Sequence, residues 1–387
     1  MVTRLVTNIG ELLTNDCELG DETPVGRLRN AALVADETRI LWVGPSSQAP
    51  AADERVDVAG AAVVPGFVDS HTHLIFAGER SDEFEARMAG APYGGGGISR
   101  TVRATRAAND DELRSQSATR LATLRAGGVT TVEVKSGYDL TVEGEARLVA
   151  LAAEITDEVT FLGAHVVPEE YARDRDGYVN LVAGEMMTRC VGAKWTDVFC
   201  DEGAFGVDEA RVVLEAGRRA GHQLRLHANQ LRDIGALRLA IDMDCASVDH
   251  CTYVSDEDVR RLAASDTVAT LLPGAEFSTK SPYPSGRRLL DAGVVVALAT
   301  DCNPGTSYVT SMSFVIALAV REMGLSVDEA LWSATRGGAA ALRRGDVGHL
   351  SPGARADLVV LDAPRAAHLA YRPGSQLVKE VWRSVAG

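Results

Sequence analysis

Positive charge is scarce in this sequence. Lys and Arg number 39 against 54 Asp and Glu, a formal net charge of −15 over 387 residues. A phosphate backbone is bound by clustered Lys and Arg, so this balance argues against a nucleic-acid partner. Long apolar runs are also missing. Nothing approaches the ~20 residues of a membrane span, and Val294–Thr300 is a short run of the kind that forms a barrel strand. Met1–Glu11 alternates polar and apolar residues and lacks the continuous core of a signal peptide. The six cysteines (Cys17, Cys190, Cys200, Cys245, Cys251 and Cys302) form no CxxC pair, which reads as cytosolic thiols. The expectation is a cytoplasmic protein without membrane or nucleic-acid partners.

What is present is ordinary globular material, 46% hydrophobic and 24% charged. A chain of this length buries about three quarters of its unfolded surface and needs no disulfide to fold. No internal repeat or low-complexity tail is visible. Residues 1–65 read as all-β, with short alternating or β-branched runs at Thr3–Ile9, Ala31–Ala35, Arg39–Val43 and Val56–Val58. From Pro65 onward, short apolar runs alternate with helix-length Ala/Leu/Arg-rich segments. The runs are Gly66–His73, Val129–Lys135, Val159–His165, Trp195–Asp201, Gln223–His227, Ala246–His250, Val268–Pro273 and Val294–Asp301. Eight strands alternating with helices predict an α/β fold of the (β/α)8 barrel type. The tail returns to β character at Asp357–Asp362. The expected organisation is therefore a barrel over 66–344 and a small β-sandwich domain built from 1–65 plus 345–387. The glycine run Tyr93-Gly94-Gly95-Gly96-Gly97-Ile98 follows the first barrel strand, where it reads as a lid over the barrel mouth or as a plain linker.

The chemistry is concentrated at the carboxyl ends of the expected strands. In Asp69-Ser70-His71-Thr72-His73 the two imidazoles are separated by one residue, so an extended chain points both to one side, where they can share an ion. His227, His250 and Asp301 each end a later apolar run. Any one of them alone could be a packed core histidine or a helix cap. On a barrel whose strand ends converge, imidazoles and a carboxylate together suit one divalent transition metal, zinc or iron(II). Such an ion lowers the pKa of a coordinated water towards 7.

His71-Thr72-His73 after Pro65-Gly66-Phe67-Val68-Asp69, the later His and Asp residues, and the closing Ala356–Asp362 resemble the amidohydrolase superfamily over essentially the whole chain. Five motifs narrow the resemblance to its imidazolonepropionase family: His73–Arg80, Glu133–Tyr138, Gly163–His165, Ser247–His250 and Thr300–Thr306. Members of that family open the ring of 4-imidazolone-5-propanoate, in histidine degradation, to give N-formimino-L-glutamate. The resemblance implies one Zn2+ or Fe2+ per chain, held by His71, His73, His227 and Asp301. It also implies a small-molecule substrate and a homodimer. The fourth run ends Phe199-Cys200-Asp201, without the Lys or Glu that bridges two ions in relatives, and Lys135 lies too early to replace it.

On this reading His250 is the proton carrier, a neutral imidazole near its ordinary pKa, with Asp301 able to take a proton as well. Arg80 offers a planar fork to the propionate arm; its plainer alternative is an ion pair with Glu79 or Glu83. Tyr93, Tyr138, His165, Asn303, Gly305 and Thr306 are the implied substrate contacts. One departure stands out: relatives commonly carry Glu three residues after the fifth-strand histidine, and here that position is Gln230. An amide recognises a ring by hydrogen bonding but cannot carry a proton at pH 7. It also counts against the competing reading, an aminohydrolase or deiminase that uses that glutamate. His222, His349 and His368 read as structural, and Cys251 and Cys302 as incidental thiols.

Overall fold

The protein is described by a computed structural model covering residues 2–91 and 97–384. The chain divides into two compact units, Met1–Ser70 with Thr123–Thr131 and Ser311–Gly387, and His71–Ala122 with Val132–Thr310.

In chain order the strands are β1 (Arg4–Leu13), β2 (Arg27–Ala35), β3 (Ile40–Pro45), β4 (Glu54–Asp57), β5 (Ala62–Pro65), β6 (Phe67–Asp69), β7 (Val129–Val132), β8 (Val134–Lys135), β9 (Val159–Ala164), β10 (Trp195–Cys200), β11 (Gln223–Ala228), β12 (Ser247–His250), β13 (Val268–Leu271), β14 (Val296–Leu298), β15 (Leu358–Leu361) and β16 (Val378–Trp382). All eight expected barrel runs contain strand. The two strands not anticipated, β5 and β16, belong to the separate sheet formed by the ends of the chain.

That sheet runs β16-β15-β5-β1-β2-β3, with β4 also on β1. It branches because the two halves of β1 have different parallel partners, β4 alongside Arg4–Thr7 and β5 alongside Glu11–Leu12. Between them the register against β2 slips, with Asn8 at φ 57°. An irregularity of this kind twists a strand and ends a pairing. It also sets Val6, Ile9 and Leu12 into one core with Leu33, Ile40, Val63, Leu358 and Val360. Side chains that a sandwich would supply from two sheets come here from a single branched one.

In the other unit β8 to β14 form a parallel sheet in strict chain order. β9 and β10 are buried along their whole length, as expected where both faces are covered. The segment 71–73 closes the ring. Lys135 N–H donates to the Thr72 carbonyl at 3.0 Å, while Asp301 N–H and His73 N–H donate to the carbonyls of His71 and Cys302, each at 3.0 Å. This stretch therefore lies between the first and last strands of the parallel sheet, which is a (β/α)8 barrel. Among the described residues, no helix is long and apolar enough to cross a membrane.

Candidate active site

The barrel's strand ends bring His71, His73, His227, His250 and Asp301 together, all buried. Ring centroids of His71 and His227 are 4.4 Å apart, and His227 and His250 are 5.4 Å apart. Nε2 of His71 and of His73 lie 3.5 and 3.6 Å from the same Asp301 oxygen. Two overlapping groups, His71 with His227 and His250, and His71 with His73 and Asp301, keep one donor atom each within 4.8 Å of the others. Backbone strain accompanies the convergence: His250 and Asp301 have φ of 82° and 52°, a region uncommon for residues other than glycine.

This donor set fits a divalent ion. His71 Nε2, His73 Nδ1 and His250 Nδ1 are buried without a hydrogen-bond partner among the described residues. Burial drives His71 and His73 well below the usual imidazole pKa, and neighbouring positive groups push the same way. They are neutral at pH 7, the form that ligates a metal.

Charged residues flank these histidines. His71 Nδ1 is 2.7 Å from Asp249 Oδ2, an oxygen that also accepts from Arg225 at 3.2 Å. His227 Nδ1 makes a close, oblique approach of 2.9 Å to Asp197 Oδ2, and Lys135 Nζ lies 2.9 Å from that same oxygen. Lys135 also donates to Glu133 at 2.9 Å. Burial opposes charge on Lys135, yet Asp197 and Glu133 outweigh it and raise the ammonium pKa. Burial likewise opposes charge on Asp197 and Asp249, and cationic neighbours overcome it and lower both.

A cavity of roughly 390 Å3, part of it continuous with solvent, opens on the cluster. It is lined by His73, His227, His250 and Asp301, and by Arg80, Tyr138, His165, Gln230, Asn303, Gly305 and Thr306 from the expected contacts. Tyr93 and most of the glycine run lie outside the described residues. His165 Nδ1 is 2.9 Å from the Gly137 carbonyl, so this nitrogen carries the hydrogen and Nε2 remains an acceptor. Burial lowers the His165 pKa to about 4. Gly137 has φ 105°, and a Cβ there would sit 2.9 Å from the Leu162 carbonyl, so glycine alone fits this turn.

Three of the expected residues carry constraints that the sequence did not show. His250 is not near its ordinary pKa: burial, reinforced by His227, holds it well below 6.5. Arg80 is at once a cavity wall and an ion-pair partner, bound at two points to Glu83. The Asn303 side chain is committed to its own loop. Its Nδ2 donates to the Asp301 carbonyl at 2.7 Å, and its Oδ1 accepts from the N–H groups of Gly305 and Thr306 at 2.8 and 2.7 Å. Asn303 therefore shapes the wall more than it offers free hydrogen bonds. At Gly305 a Cβ would come within 2.5 Å of Arg80 Nη1, so the absent side chain leaves room for the guanidinium.

Sequence reasoning missed several residues found here. Phe199 and Ile98 line the cavity although each reads as core. Asp201 accepts from the N–H groups of Glu202, Gln230, Leu231 and Arg232 at 2.7 to 3.1 Å and so pins the loop that carries Gln230. An acidic residue ending a strand was the only signal for it.

Residues 62–384 match the Amidohydrolase family. The chain is 59% identical to the imidazolonepropionase of Streptomyces griseus over 385 residues, covering 99% of both chains. It is 60% identical to that of Mycolicibacterium smegmatis over 387 residues, covering 99% of this chain and 97% of that one. Among solved structures, an atrazine chlorohydrolase of Arthrobacter aurescens complexed with zinc superimposes with a TM-score of 0.71 at 18% identity, covering 98% of this chain and 93% of that one. At that identity the likeness concerns the fold alone. With its barrel, its strand-end histidines and these relatives, the chain belongs to the amidohydrolase family and is a hydrolytic enzyme.

Proposed function

We propose that this enzyme hydrolyses the cyclic amide C–N bond of 4-imidazolone-5-propanoate to give N-formimino-L-glutamate. The observation that carries this reading is the meeting, in one cavity, of the buried His/Asp cluster with the Arg80 guanidinium. It suits a small, polar, ring-shaped amide bearing one carboxylate. The full-length identity to imidazolonepropionases supports the same reading.

His71, His73, His227 and Asp301 would hold one Zn2+ or Fe2+. Such an ion, when bound, supplies a Lewis acid and makes water more acidic. The remaining work falls to the chain. Arg80 binds the propionate, and Tyr138, His165 and Gln230 orient the ring, His165 through its acceptor Nε2. Water attacks the ring carbonyl carbon while His250, neutral at pH 7, accepts its proton. The C–N bond then breaks, and His250 returns the proton to the departing nitrogen. Gln230 positions without carrying a proton. Asp301 is the other acceptor within reach.

The test is an assay of purified, metal-analysed protein with 4-imidazolone-5-propanoate. We expect loss of the ring's ultraviolet absorbance, a product of the mass of N-formimino-glutamate, no ammonia, and about one metal per chain. Ammonia release would point instead to an aminohydrolase, and no turnover by the metal-loaded protein would overturn the substrate assignment.

A further inference from the structure

We propose that Lys135 and Arg225 are positioning residues for the ligand histidines, holding Asp197 and Asp249 so that Nδ1 of His227 and of His71 bears the hydrogen and Nε2 is presented to the ion. The inference rests on the ligand roles proposed above for His71 and His227.

One arrangement occurs twice. In each half a single carboxylate oxygen is shared between a buried cation and the Nδ1 of a histidine. Asp197 Oδ2 lies 2.9 Å from Lys135 Nζ and 2.9 Å from His227 Nδ1. Asp249 Oδ2 lies 3.2 Å from Arg225 and 2.7 Å from His71 Nδ1. Lys135, Arg225, Asp197 and Asp249 are all fully buried. A carboxylate oxygen facing a cation only accepts, so at His71 the hydrogen-bonded Nδ1 supplies the hydrogen. At His227 the approach is oblique, and a bare Nδ1 lone pair 2.9 Å from a carboxylate oxygen would be repelled, which favours the same tautomer. The imidazole lone pair then falls on Nε2.

Barrel geometry makes the arrangement possible. Arg225 and His227 are two residues apart on β11 and share a face, and Asp249 pairs with His227 across β11 and β12. Asp197 further grips the His227 backbone, whose N–H donates to its Oδ1 at 3.2 Å. A merely structural ion pair would not need its carboxylate turned onto an imidazole. Partners of this kind fix ring orientation and the tautomer of ligand histidines, and their loss costs about 10- to 100-fold in metal affinity.

The first experiment is nitrogen-15 NMR on histidine-labelled, metal-free wild-type protein, with signals assigned through His71→Gln and His227→Gln. We expect both residues as Nδ1–H tautomers, and finding His227 as the Nε2–H form would overturn the proposal. The second uses Lys135→Met, with the Glu133→Gln/Lys135→Met double variant so that Glu133 is not left as a second unpaired buried carboxylate beside Asp197. Zn2+ affinity, read by chelator competition, should fall about 10- to 100-fold as His227 shifts towards mixed tautomers. A folded double variant with unchanged affinity and unchanged tautomers would also overturn it. Wild-type protein that binds no Zn2+ would sink the ligand reading instead, and the tautomer measurement would still decide the positioning role.

Discussion

Arg80 and Glu83 are joined at two points, Nε to Oε1 at 2.9 Å and Nη2 to Oε2 at 2.6 Å, with the guanidinium buried and the carboxylate partly exposed. A cation lining the cavity is thus already neutralised by a partly exposed carboxylate. An incoming carboxylate must share or displace that partner. Bidentate pairing suits either event, because the guanidinium carries five donors and Glu83 occupies only some of them.

Arg80→Ala should therefore raise KM by roughly 10- to 100-fold, the equivalent of about 1.5–3 kcal/mol for a hydrogen bond to a charged group. Glu83→Gln removes the competitor and should leave KM unchanged or lower. Steady-state kinetics on both variants checks the pair. An unaltered KM in Arg80→Ala removes this residue from substrate binding.

Loss of a ligand should be far more severe. His227→Ala takes away one imidazole and leaves Asp197, still paired with Lys135, without the ring it approaches. We expect metal content close to zero and no measurable turnover, and treatment of the wild type with a chelator should have the same effect. Elemental analysis beside the assay decides the matter. A fully active, metal-loaded His227→Ala protein would refute the ligand assignment.

The strand-end residues were legible because barrel strands announce themselves as apolar runs and the residue that ends each run stands out. His71, His73, His227, His250 and Asp301 were all visible in this way. Their supporting charges were not. Asp249 meets His71 across 178 positions of chain, and only folding sets such a pairing. Lys135 showed up merely as a residue in the wrong place to bridge two ions. Phe199 and Ile98 were missed because an apolar side chain in a cavity wall looks like one in a core. β16 escaped notice because Lys379 and Glu380 interrupt its apolar pattern, as suits a strand at a sheet edge.

The loop carrying Gln230 offers a sharper test of positioning. Asp201 gathers four backbone N–H groups, three of them from residues 230–232. Asp201→Asn keeps the shape but turns one acceptor oxygen into a donor. At least one of these pairs must then break, at about 1–3 kcal/mol for the buried group left unsatisfied. kcat/KM should fall by roughly 10- to 100-fold, with metal content unchanged. A drop in metal content instead would place the role of Asp201 at the ion.

Glu276 gives a prediction in stability alone. The residue is buried in the helix Pro273–Thr279, with Oε1 accepting from Thr252 at 2.7 Å. Burial raises its pKa to about 8, with the Thr252 hydrogen bond pulling weakly the other way. The unfolded chain releases this proton near pH 4.5, whereas the folded protein keeps it until about pH 8. The folded state thus binds more protons across that window, so stability falls as pH rises through it. By pH 7 this group has removed about 3 kcal/mol relative to pH 4.5. Glu276→Gln keeps an acceptor for Thr252 and cannot ionise, so the variant loses this slope. Thermal melts at pH 5 and pH 8 should show the variant gaining on the wild type as pH rises, other titrations cancelling in the difference. Parallel curves would mean that Glu276 ionises normally in the folded protein.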